Sequence, residues 1–99
     1  MIRHTVVFKL KFAKGSSEET EFLQAAGTLA ALPGVFHFES LKQISKKNDF
    51  DYGLSMEFDS QKAYDDYSQH PDHTAFIQNY WMGYVEKFLE IDYEPLESV

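Results

Sequence analysis

The chain has no cysteine, which excludes a disulfide framework, a thiolate nucleophile and a cysteine-type zinc site. It is also short of positive charge, with nine Lys and Arg against sixteen Asp and Glu and no basic run beyond Lys46-Lys47. At a net charge of -7 the chain is a poor partner for a phosphate backbone or an anionic membrane surface, so no nucleic acid and no membrane are expected. Apolar runs stay well below the ~20 residues of a membrane span, and Met1-Ile2-Arg3-His4 is not followed by a signal-type apolar stretch, so a cytoplasmic protein is expected. Three prolines and five glycines leave few places where regular structure must stop. Aromatic residues, by contrast, reach 16% of the 99 positions, enough ring area for a thick core, a cavity lining or a subunit interface. At this length an isolated domain is marginally stable, and oligomerisation would relieve that.

The order of elements follows from periodicity. Residues 2 to 12 alternate, with Ile2, His4, Val6, Phe8, Leu10 and Phe12 on one face, which predicts a strand in which His4 is the polar member of an apolar row. Ser16 and Glu19 have capping-box spacing, and Phe22, Ala25, Ala26, Leu29 and Leu32 form a helical stripe that Pro33-Gly34 ends. Residues 35 to 43 predict a second strand of mixed polarity, suited to a sheet edge, with Phe36 and Phe38 on one face and His37 and Glu39 on the other. A third strand spans 52 to 58, and Asp59 or Ser60 caps a helix that turns Ala63, Tyr64 and Tyr67 inward. Residues 85 to 93 close the chain as a fourth strand, with Phe88, Glu90 and Asp92 set against Leu89 and Ile91.

The densest cluster of titratable side chains is Tyr67-Ser68-Gln69-His70-Pro71-Asp72-His73. Proline disfavours helical dihedrals in the residue before it and suits the first helical turn itself, so one helix should end near Gln69 and another begin at Pro71. Phe76, Ile77, Tyr80, Trp81 and Tyr84 then follow His73 at helical spacing and put it on the buried face. The resulting β-α-β-β-α-β order, with its second helix broken at Pro71, predicts an α+β, ferredoxin-like fold with a four-stranded antiparallel sheet and one domain over residues 1–99. Helices cover one face of such a sheet. The other, carrying Val7, part of the Phe36 and Phe38 pair, Leu89 and Ile91, is too apolar to stay wet, so a homodimer through the sheet face is expected.

His4 in the first strand, Leu32-Pro33-Gly34-Val35, the element Tyr67-x-x-His70-Pro71-x-His73 and the closing Ile91-Asp92-Tyr93 together resemble the stress-responsive dimeric α/β barrel (Dabb) family over nearly the whole chain. The resemblance implies a dimer with a cavity between sheet and helices in each subunit. Members range from stress-induced plant proteins without an assigned reaction, through bacterial proteins of unknown role, to a plant polyketide cyclase. In the cyclase-like members a first-strand histidine and the last histidine of the H-P-x-H element act as an acid/base pair beside a tyrosine. The resemblance assigns these roles to His4, His73 and Tyr67. A further cavity histidine aligns with Tyr52, and a first-helix tyrosine aligns with Ala25.

Chemically, two inward imidazoles can accept and return a proton near neutrality, and a phenol can steady a developing oxyanion, so cofactor-free aldol or enolisation chemistry needs little more. Tyr52, Tyr64, His70, Phe76, Tyr80 and Trp81 are the candidates for binding a flat, partly apolar ligand. A histidine on an apolar face is more often a satisfied core residue, and in that case the protein is a non-enzymatic stress or structural homodimer. His70, Asp72 and His73 also invite a metal, but Pro71 splits the histidines between two elements and the helix dipole explains Asp72, so no metal and no cofactor are expected. Apart from Trp81, the sequence offers no motif for a monooxygenase or a haem-degrading enzyme.

Overall fold

The computed structural model describes residues 1–97; the expected domain runs on to Val99, and its last two positions lie outside the described residues. Its elements are β1 (Ile2–Leu10), α1 (Ser17–Gly27), β2 (Phe36–Lys42), β3 (Tyr52–Phe58), α2 (Gln61–Gln69), α3 (Pro71–Phe76) and β4 (Val85–Tyr93). A 3-10 turn, Thr28–Ala31, prolongs α1. A π-helical segment, Ile77–Trp81, and a last helical turn, Met82–Tyr84, join α3 to β4. The four strands form one antiparallel sheet in the order β2-β3-β1-β4, which is the ferredoxin-like arrangement. Among the described residues no helix is long and apolar enough to cross a membrane.

Local chemistry explains where the helices begin. The Ser16 hydroxyl accepts from the Glu19 amide at 3.2 Å, but the Glu19 carboxylate turns back to the amide of Gly15 rather than that of Ser16. Ser60, not Asp59, caps α2 by accepting from the Ala63 amide at 3.1 Å. Between α1 and β2 the chain reverses at Gly34, whose φ of +83° is open to glycine and strained for other residues.

Alternation along β1 sends His4, Val6, Phe8 and Leu10 under the helices. There they meet Phe22, Ala26, Leu29 and Leu32 from the first helical region, and Tyr67 and Phe76 from the second. Phe8, Phe22 and Phe58 are wholly buried, an arrangement worth ~1.5–3 kcal/mol per ring in transfer free energy alone. β1 stops two residues short of Phe12: the register shifts at Lys9/Leu10, the Lys11 amide bonds to the Tyr84 carbonyl, and Phe12 packs on the Tyr84 ring outside the sheet.

β2 lies at an edge, and strict alternation fails there. Phe36 pairs with Glu57 but Glu39 pairs with Ser55, so a β-bulge inserts one residue around His37, whose φ is +51°. The extra residue moves Phe36 to the outer face with Glu39 and Leu41, while Phe38 packs against the core; the two phenylalanines do not share a face.

Candidate active site

Among the described residues His4 is the one buried polar residue of the core, 7% exposed, and cross-strand pairing decides its neighbours. β1 sets it opposite Met56 on β3 and Asp92 on β4. Its Nδ1 lies 2.6 Å from Asp92 Oδ1 and 2.9 Å from the Tyr64 hydroxyl, which donates to Asp92 Oδ2 at 2.9 Å. A carboxylate at this distance holds the proton on Nδ1, so Nε2 is left as the acceptor for the cavity that His4 lines. Burial, then the bond to Asp92, pushes the Tyr64 phenol well above its ordinary pKa, keeping it a donor.

The break at Pro71 positions the second imidazole. His70 ends α2 and caps α3, its Nδ1 accepting from the Asp72 amide at 3.0 Å, and Pro71 occupies the first helical turn. His73 thereby enters the first turn of α3 with its ring 4.7 Å from that of Tyr67. Tyr67 in turn lies 6.5 Å from the His4 ring, so its ring neighbours both histidines. Burial lowers the His73 pKa below the ordinary value, with the nearby His4 acting in the same direction and a hydrogen bond to the Ser68 backbone and the charge of Glu90 opposing it in part. His73 is therefore unprotonated at neutral pH and able to accept a proton. Burial and then Glu90 push the Tyr67 phenol up, so it stays protonated.

His4, Tyr67 and His73 line one cavity of about 360 Å³, a size that suits a small organic molecule. Its floor is apolar, with Val6, Leu54 and Met56 from the sheet and Leu29 from the turn after α1. Of the six residues expected to bind a ligand, Phe76 and Trp81 line it. Tyr64 stands behind His4 as its hydrogen-bond partner, and His70 is occupied as a helix cap. Tyr80 stacks on Phe76 without reaching the cavity lining. Tyr52 is remote from the cavity: its ring packs on Phe8 and its hydroxyl donates to Glu19 Oε2 at 2.5 Å. Burial and that carboxylate raise its pKa. Among the described residues, no group of three His, Asp or Glu side chains is arranged to hold a metal ion.

Met82, Phe88 and Glu90, at the cavity's rim, stand outside the set expected from the sequence to bind a ligand. Met82 was invisible because a strict 3.6 period turns it outward; the π-helical segment adds a residue to one turn and delays the phase, bringing Met82 to the cavity beside Trp81. Phe88 and Glu90 carried a usable signal, since they share parity with Asp92 on β4.

The model of the stress responsive A/B barrel domain, Dabb, matches residues 2–95. The chain belongs to this family. A crystal structure of a Dabb family protein with a ferredoxin-like fold from Mesorhizobium loti is 58% identical and superposes with a TM-score of 0.93, over 96% of each chain. Two curated relatives are each 26% identical. One is a stress-response A/B barrel domain-containing protein of Arabidopsis thaliana, matched over 94% of this chain and 36% of its own length, so the chain spans about a third of that relative. The other is olivetolic acid cyclase of Cannabis sativa, matched over 95% of this chain and 96% of that one. More distantly, a dimeric ferredoxin-like protein from Thermobifida fusca shares the fold at 18% identity and a TM-score of 0.76, over 93% of this chain and 88% of that one.

Proposed function

We propose that this Dabb domain binds a small, partly apolar organic molecule in the cavity and carries out cofactor-free acid/base chemistry on it, in the manner of a polyketide cyclase. His4, oriented by Asp92 and Tyr64, offers Nε2. His73, kept neutral by burial, offers the second base, and the Tyr67 phenol, whose ring neighbours both, donates to the oxygen that gains charge when a proton leaves carbon next to a carbonyl. The observation that carries the reading is the meeting of two imidazoles and a protonated phenol on the wall of one apolar cavity. The curated cyclase relative supports the reaction class. The domain acts as a homodimer, supported by the apolar outer sheet face and by the dimeric neighbour of the same fold.

A non-enzymatic stress-response or structural homodimer is the second reading, favoured by one observation: His4, Asp92 and Tyr64 already satisfy one another without any ligand. Exchange of the α-protons of phenylacetone in D2O, followed by NMR, separates the two. An enzyme accelerates exchange over buffer, and His4→Gln and His73→Gln each remove ~10²-fold or more of that acceleration while the fold is retained. Buffer-level exchange by wild type, with both replacements acting on the melting temperature alone, leaves the structural reading.

A further inference from the structure

On β4, Phe88, Glu90 and Asp92 share the sheet face of Phe8, Val6 and His4, their partners across the β1 ladder. Asp92 is engaged by His4 and Tyr64. Glu90 is not part of that network; it lines the cavity itself, as the one acidic residue among the described lining residues. Glu90 is exposed, as are its neighbours at the rim, Phe88 at 52% and Met82 at 68%, whereas Val6, Leu54 and Met56 are buried. A ligand entering between β4 and the last helical turn therefore passes a carboxylate before it meets the apolar floor.

No Lys or Arg is among the described residues that line the cavity. Lys87, the nearest cation along β4, pairs with Lys9 on the opposite sheet face and is bonded to Asp49. Apart from the imidazoles of His4 and His73, nothing among the described lining residues can offset Glu90. Glu90 stands at the exposed rim, where a ligand passes it on the way to the apolar walls, so its charge biases which ligands enter. We infer that Glu90 sets the charge selectivity of the cavity, which takes uncharged or cationic ligands and rejects carboxylates and phosphates. This rests on the cavity being a binding site, and it narrows the ligand class to neutral carbonyl or phenolic compounds and amines.

Three probes of one shape test it: 4-hydroxyphenylacetamide, tyramine and 4-hydroxyphenylacetate, each titrated at neutral pH against the full chain while the indole resonance of Trp81, which lines the cavity, is followed by NMR. The amide and the amine should bind at least about tenfold more tightly than the isosteric carboxylate, and Glu90→Gln should bring the amide and the carboxylate to within about threefold, a loss of discrimination of ~0.7 kcal/mol or more. Equal binding of amide and carboxylate by wild type, or an unchanged ratio in Glu90→Gln, overturns the charge-selectivity inference and leaves the cavity as a binding site. Absence of binding by all three probes in both proteins removes the binding reading and this inference with it.

Discussion

The two faces of the sheet are built from the same strands and have opposite fates. On the inner face Val6, Phe8, Leu54 and Met56 are covered by helices, and the cover opens at the cavity with its histidines. On the outer face Phe36, Leu41, Leu89, Ile91 and Tyr93 remain 41–53% exposed in a single chain. The inner face shows that a small α+β domain can enclose polar chemistry if every buried polar side-chain atom has a partner: among the described residues none is left unsatisfied. The outer face shows what the same economy of length leaves undone, an apolar surface that a second copy would cover.

Four measurements sharpen or break that contrast. Phe22→Ala should have the largest effect, because the ring is wholly buried between Phe8 and Phe76, and its loss should lower unfolding free energy by ~3–5 kcal/mol in a denaturant titration. An outer-face change such as Leu89→Lys should leave the subunit folded yet shift the mass found by light scattering from dimer to monomer; a monomeric wild type would end the homodimer proposal. Asp92→Asn removes the charge that holds His4 and should cost ~1–3 kcal/mol while freeing the His4 tautomer, visible in the imidazole nitrogen shifts.

The smallest effect concerns pH. The His73 pKa is lowered in the folded state, so the unfolded chain binds the proton first as pH falls. The contribution of His73 to stability is thus whole above the unfolded value of ~6.5 and is lost as pH falls through the depressed folded pKa. His73→Gln should flatten that segment of the stability profile; an unchanged slope there would mean that His73 is not held neutral by burial.

Much of this contrast was legible in residue order. Period-two alternation marks β1, β3 and β4, and the His70-Pro71 dipeptide places the helix break, since both signals act between residues a few positions apart. The edge strand β2 was harder, because an inserted residue at His37 leaves no mark on composition while it reverses the face of Phe36. Of the site, His4, Tyr67, His73, Phe76 and Trp81 lie where the pattern put them, on one cavity. Tyr52 lies elsewhere although it shares a face with Phe8, because parity selects a side of the sheet and says nothing of position along it: Tyr52 pairs with Phe8 at the far end of the ladder from the Ile2–Phe58 pair.

Residue order alone determined the main strands and helices, their sequence, and the side of the sheet that residues of β1, β3 and β4 occupy, all consequences of backbone geometry repeating every 2 or 3.6 residues. The tertiary structure alone decided that Asp92 would reach His4 across 88 positions, with Tyr64 joining them from a helix. It also decided that the carboxylate left in the cavity would be Glu90. Those meetings depend on the register between β1 and β4, which is set when both strands pack under the same helices, and no local stretch of chain encodes it.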